Sequence, residues 1–160
     1  MKRGSTIFLR LALVVLGLMV LGLCIIMFVG LAGEGIRNMS YFDRLVSPLV
    51  LTIWFTAIPF YIALFQAWKL LNCIDKNIAF SEFSRETLKK IKYCAVTISV
   101  LYVASLPQFF ILADADDAPG IVVIGLVFVG ASFTVAVFVA ILERLLQHAI
   151  DIKSENDLTV

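Results

Sequence analysis

The 160-residue sequence has few charged residues, three cysteines and a single histidine, and each scarcity excludes a class of protein. Charged residues make up 16% of the chain, whereas they make up about a quarter of a soluble domain. The formal net charge is +1, so direct binding to nucleic acid or another polyanion is not expected. Cys24, Cys73 and Cys94 lie far apart and form no CxxC pair, which supports neither a zinc site nor a disulfide framework.

Catalytic motifs are also missing from the sequence. It contains no HExxH, GxSxG or phosphate-binding loop, and His148 stands among charged neighbours that favour a solvated role. No ionisable residue falls inside any of the long apolar segments, where such residues would mark proton relays or ion pathways. We therefore predict a protein that is not an enzyme, is not a cation-coupled pump, and needs no cofactor or metal.

The apolar content, in contrast, is high: 61% of residues are hydrophobic and the mean hydropathy is +1.00. Four uncharged stretches reach the length of about 20 residues that crosses a bilayer. They predict spans at about 7–31, 48–69, 93–112 and 120–142, followed by a helical tail over 143–160, in one membrane domain covering 1–160. The first stretch also resembles a signal peptide, but it is longer than usual for one, which favours an uncleaved span over cleavage.

Basic residues indicate the orientation of these spans. With the N-terminus in the cytoplasm, the inner segments carry 11 Lys and Arg residues and the outer loops carry only Arg37 and Arg44. Lys and Arg concentrate on the cytoplasmic side of membrane proteins. We expect a multi-pass protein with both termini in the cytoplasm.

Short connections between the spans predict an all-α fold, a four-helix antiparallel up-down bundle. The longest inner connection contains a further helical pattern that begins at Ser81, whose hydroxyl is placed to cap the first turn. Glu82 and Glu86 come early in this pattern and lysines come later, as the helix dipole favours. The pattern predicts a short cytoplasmic helix that continues into, or bends toward, the third span.

Small and hydroxyl residues recur at helical spacing in the second, third and fourth spans. In the third span, for example, Cys94, Thr97, Leu101, Ala104 and Gln108 share one face. Such residues let membrane helices approach closely, so we expect these faces to point into the bundle. Close packing is the simpler interpretation, and a small polar cavity is the alternative. The polar members form a candidate polar seam: Thr52, Thr56, Gln66, Thr97, Gln108 and Ser132.

The cytoplasmic side carries most of the patterned charge. The basic helix before the third span and the charged C-terminal tail could contact each other, anionic lipid headgroups or a partner protein. The candidate partner surface consists of Ser81, Arg85, Lys89, Lys92, Glu155, Asn156 and Asp157.

Two segments resemble a bacterial family known as domain of unknown function 2975. One is Phe80-Ser81-Glu82 with the following Leu88-Lys89-Lys90-Ile91, and the other is the ending Glu155-Asn156-Asp157-Leu158-Thr159-Val160. The resemblance implies a bacterial plasma-membrane protein of four spans with no assigned activity. Genes of this family often neighbour a small helix-turn-helix regulator, which implies a DNA-binding protein as a partner.

Two functional hypotheses follow. The first is a non-enzymatic module for sensing, regulation or self-protection that acts from its cytoplasmic face, with the lipid bilayer and a small DNA-binding regulator as partners. The alternative is a component of a small transporter or channel, as an oligomer, with a weakly polar path along the polar seam.

Overall fold

The computed structural model describes residues 3–34, 47–75, 81–115 and 117–158, with side chains over 6–29, 49–75, 81–115 and 117–155. These residues form four α-helices and contain no strand: α1 (Arg3–Glu34), α2 (Ser47–Asp75), α3 (Glu82–Ala115) and α4 (Gly120–Leu158). All four are long and apolar enough to cross a membrane. The predicted all-α membrane fold is confirmed. The predicted outer loop that carries Arg37 and Arg44 lies outside the described residues.

Consecutive helices pack on one another in antiparallel register. The start of α1 meets the end of α2, where Arg10 contacts Asp75, and its end meets the start of α2, where the Phe28 and Trp54 rings are 5.6 Å apart. Between α3 and α4, Lys92 forms an ion pair with Glu143, and farther along the two helices the Tyr102 ring stacks on Phe128. The extensive contacts among the described residues join α1 to α2, α2 to α3 and α3 to α4. The bundle is therefore built in chain order, with α1 on its edge.

The turn between α3 and α4 explains why these two helices lie so closely antiparallel. Asp117 has a φ of 52°, and the amide of Ala118 donates to the carbonyl of Ala113 at 2.9 Å. This is the 6→1 bond of a Schellman cap, which satisfies a carbonyl at the end of α3. Aspartate tolerates the left-handed conformation better than most residues. Pro119 then precedes the first turn of α4, where its missing amide costs no hydrogen bond.

All four helices are longer than the hydrocarbon core of a bilayer, and α3 and α4 exceed it most. α3 has 34 residues and α4 has 39, or about 51 and 58 Å, against a hydrocarbon core of about 30 Å. The helix predicted before the third span is therefore the first part of α3, with no break between them. α2 and α3 likewise continue through Pro59 and Pro107.

Candidate functional site at the basic end

The antiparallel order brings the start of α1, the end of α2, the start of α3 and the end of α4 together. We call this the basic end. It holds Arg10, Lys69, Asp75, Glu82, Arg85, Glu86, Lys89, Lys90, Lys92, Glu143, Arg144, His148, Asp151, Lys153 and Glu155. The opposite end of the described helices holds only acidic charges, Glu34, Asp114 and Asp117. Because no charged residue lies between the two ends, they are the regions where charged chemistry is available.

The start of α3 is fixed by its cap. The Ser81 hydroxyl accepts a hydrogen bond from the Ser84 amide at 3.3 Å, and the Ser81 carbonyl accepts one from the Arg85 amide at 3.2 Å. The predicted N-cap is confirmed. Ser84 is completely buried, and Thr87 and Leu88 are nearly so. The first turns of α3 are thus packed into the molecule and do not project freely from it.

The predicted partner surface divides into outward and inward groups. Arg85 is half-buried and its Nη1 lies 3.2 Å from Glu82 Oε2, whereas Lys89 and Glu155 are exposed. Lys92 instead points toward α4, where its Nζ lies 2.5 Å from Glu143 Oε2. Asn156 and Asp157 lie within α4, but their side chains are outside the described residues. The exposed part of this surface is therefore carried by Lys89 on α3 and Glu155 on α4.

A polar pocket surrounds the Lys92–Glu143 ion pair between α3 and α4. We call it the α3–α4 pocket. Its volume is about 250 Å³, and its lining is completed by Ala140, Arg144, Gln147 and His148. The Glu143 side chain is 14% exposed and that of Lys92 is 26% exposed, so the pair is largely shielded from solvent. Sequence reasoning missed this pairing, although Lys92 falls at helical spacing between the buried residues Leu88 and Ala95.

A second polar cluster joins the start of α1 to the end of α2. Arg10 Nη2 donates to Asn72 Oδ1 at 2.7 Å and to Asp75 Oδ2 at 2.6 Å. The guanidinium also lies 5.6 Å from the ring centre of Trp68, within the range of a cation–π interaction. No sequence pattern indicated this cluster, because Arg10 lies 58 or more positions from Trp68, Asn72 and Asp75. Its contacts are structural, since both hydrogen bonds join neighbouring helices.

The seam residues on α2 and α4 are buried or half-buried. Thr56 is buried and its hydroxyl donates to the Ile53 carbonyl, while Thr52 and Gln66 are half-buried. On α4, Ser132 is half-buried and its hydroxyl donates to the Phe128 carbonyl. The small residues Gly125 and Ala136 on the same face are buried.

On α3 the predicted face needs a correction. Thr97 is exposed, and its hydroxyl donates to the Tyr93 carbonyl of its own helix. Ala95 and Ser99 are buried instead, roughly opposite Thr97, and Ser105 is also buried, about 80° around the helix from Thr97. α3 has small residues on two faces, and packing between α2 and α4 selects the second. Gln108 is half-buried, and its Oε1 has no hydrogen-bond partner among the described residues.

An open apolar groove runs between α1 and α2 on the opposite half of the molecule. Its volume is about 390 Å³, and it is lined by Leu21, Cys24, Ile25, Phe28, Trp54, Ala57 and Tyr61. Among the described residues, no three His, Cys, Asp or Glu side chains converge in a way that could hold a metal ion.

Comparisons with known proteins agree with this architecture. Residues 30–160 match a family model described as "Protein of unknown function (DUF2975)". The chain is also 55% identical over 163 residues to the "Uncharacterized membrane protein YoaS" of Bacillus subtilis (strain 168), and the alignment covers 100% of both chains. No solved structure matches the chain. The family model begins near the end of α1, so it covers α2, α3 and α4 in full.

Proposed function

The chain belongs to this DUF2975 family of membrane proteins, and we propose that it is a non-enzymatic regulatory module that acts through its basic end. In this proposal the basic end faces the cytoplasm of a bacterial cell and holds a small helix-turn-helix regulator at the membrane. Release or capture of the regulator would change transcription of its target genes.

One observation carries the proposal: the basic end is a packed surface. The capped first turns of α3 bury Ser84, Thr87 and Leu88, and the end of α2 buries Leu71 and Cys73. Binding costs less conformational entropy when the side chains of the surface are already ordered. A surface of this kind is better suited to hold a protein than a loose charged tail would be.

Charge distribution supports both the orientation and the kind of partner. All nine Lys and Arg residues of the described helices lie on the basic-end side, as expected for a cytoplasmic face. Acidic residues are interspersed with these cations, as at Glu82 and Glu86 beside Arg85 and Lys89. A mixed surface favours contact with a folded protein over direct contact with DNA, whose recognition needs a concentrated positive patch.

The first test of the proposal is photocrosslinking in membranes. A photoreactive residue at position 89 of the full-length protein should capture a DNA-binding regulator, and one at position 90, about 100° around α3, should capture markedly less. Cells carrying Lys89→Glu should show altered RNA levels for the regulator's targets, while Lys90→Glu is the matched charge reversal. Capture of no DNA-binding protein at position 89, together with unchanged target RNA, would contradict the proposal.

A small transporter or channel component is the second candidate, and Gln108 is the observation that favours it. Its Oε1, near the end of α3, has no hydrogen-bond partner among the described residues, so it could accept a hydrogen bond from a passing solute. The hydroxyls of Thr56, Thr97 and Ser132, in contrast, each donate to a carbonyl of their own helix. Proteoliposome flux measurements separate the two candidates: solute flux that Gln108→Leu abolishes would favour transport, and no flux would favour regulation.

A further inference from the structure

The α3–α4 pocket contains a cation whose position is fixed. Lys92 Nζ is held by Glu143 at 2.5 Å, and both side chains are less than one-third exposed. Lys92 also lies 5.5 Å from the ring centre of Tyr93. Because the Glu143 carboxylate is already paired, it contributes little free negative charge to the pocket.

Apart from Ala140, the remaining lining residues can donate hydrogen bonds. Arg144 is exposed and has no ion-pair partner among the described residues, so its guanidinium is available to a ligand. The Gln147 amide and the His148 imidazole line the same pocket and supply further N–H groups. After the Lys92–Glu143 pair is discounted, the lining retains the positive charge of Arg144, which indicates an anionic ligand.

The pocket lies at the boundary of the membrane. Lys92 is the last charged residue before the uncharged part of α3, and Glu143 is the first after the uncharged part of α4. Tyr93, exposed beside Lys92, is typical of the headgroup layer. Leu145, next to Arg144 in sequence, is 60% exposed, so apolar surface continues beside the pocket. An amphiphilic ligand fits this combination better than a fully water-soluble one.

We propose that the α3–α4 pocket binds the phosphate of an anionic phospholipid, with Arg144 as the main contact and Lys92, Gln147 and His148 around it. Guanidinium groups bind phosphate oxygens through two parallel hydrogen bonds, which gives both strength and orientation. Basic pockets between membrane helices at the headgroup level are a general type of lipid site. The volume of about 250 Å³ admits a headgroup, while the acyl chains would follow the exposed apolar side of α4.

The test uses the full-length protein purified in dodecylmaltoside. Binding of phosphatidylglycerol and of phosphatidylcholine is measured by native mass spectrometry, and thermal unfolding without added lipid verifies that each variant is folded. The wild type should prefer phosphatidylglycerol. Arg144→Gln should weaken phosphatidylglycerol binding about fivefold, the contribution of one cation near the surface. Lys90→Gln, an exposed cation outside the pocket, should change it less than twofold.

Each outcome bears directly on the site. Equal losses from Arg144→Gln and Lys90→Gln would show diffuse attraction to the membrane and overturn the proposal, as would equal binding of the two lipids by the wild type. Inorganic phosphate, added without lipid, distinguishes the source of the ligand. If it protects the wild type but not Arg144→Gln against heat, and phosphatidylglycerol adds nothing, the phosphate site stands and its lipid origin is wrong.

Discussion

The interface between α1 and α2 and the interface between α3 and α4 join apolar helices in different ways. The first is made at separate points: the Arg10 cluster, the hydrogen bond from the Tyr61 hydroxyl to the Gly17 carbonyl, and the Phe28–Trp54 contact. An open groove separates two of these points. The second combines the stacked rings of Tyr102 and Phe128, the close approach of the Phe109 ring to Gly125, and the Lys92–Glu143 ion pair.

In a bilayer, lipid tails are as apolar as leucine, so burying apolar side chains does not by itself bring helices together. Close packing and polar contacts must supply the attraction. The α3–α4 pair uses both along much of its length, whereas α1 relies on a few separate contacts with α2. We therefore expect α1 to separate from the bundle at a lower free energy than any separation of α3 from α4.

The largest effect is expected at the closest approach of α3 and α4. A Cβ added at Gly125 would lie 2.9 Å from Phe109 Cγ, an atom near the backbone that cannot move aside easily. Gly125→Val should lower the free energy of unfolding in mixed micelles by about 3 kcal/mol, the upper part of the range for overpacking. Gly130→Val, where no atom lies within 4 Å, is the control and should cost almost nothing. Similar costs at both positions would show that this interface is not closely packed.

The ion pair of the same interface should give the next largest effect. Glu143→Gln leaves Lys92 largely shielded without its carboxylate, and we expect a loss of about 2 kcal/mol in unfolding free energy. Glu82→Gln, which breaks the exposed pair with Arg85, should cost less than about 1 kcal/mol. A double variant, Lys92→Met with Glu143→Leu, should recover most of the loss, because both charges are then removed. Failure to recover would mean that the pair does more than balance its own charges.

Breaking the Arg10 cluster should act on α1 alone. Both Arg10 and Asp75 are more than one-third exposed, at 36% and 37%, so solvent screening limits the effect of Arg10→Gln to about 1 kcal/mol. Hydrogen exchange measured by mass spectrometry should accelerate in residues 3–20 and remain unchanged in α3 and α4. Equal acceleration in all four helices would show that α1 is part of one cooperative unit.

The smallest effect is expected at Tyr61. Tyr61→Phe removes the hydrogen bond to the Gly17 carbonyl, made at 2.9 Å, and should cost about 0.6 kcal/mol, the average for such bonds between membrane helices. The same exchange measurement should show faster exchange near Gly17. Tyr102→Phe, which keeps its ring stacked on Phe128 in the other interface, should leave α1 exchange unchanged.

The spans and the cap of α3 could be predicted because their signals are local. Charge-free length identifies a membrane helix, and a serine before an amphipathic pattern identifies its start. The face of α3 could not be predicted in the same way. Thr97 and Ser99 are both small polar residues in the same span, and only the positions of α2 and α4 decide which of them is buried.

Only part of the candidate site could be predicted from the sequence. The side of the molecule with the patterned charge was evident from the distribution of lysine and arginine. The pairing of Lys92 with Glu143 joins residues 51 positions apart, and that of Arg10 with Asp75 joins residues 65 apart. Such contacts depend on the register of the helices, which hydropathy does not determine. Both pairs therefore required the three-dimensional arrangement.

The unbroken length of α4 has a mechanical consequence. About 22 Å of this helix extends from Glu143 to Leu158 in continuation of the span, at 1.5 Å per residue. Because the helix has no break there, the extension acts as a lever arm. A bilayer that changes thickness changes the tilt of the helices that cross it. A tilt of about 10° in the span would move the tip at Leu158 sideways by about 4 Å. A change in bilayer thickness would therefore displace the α4 side of the basic end.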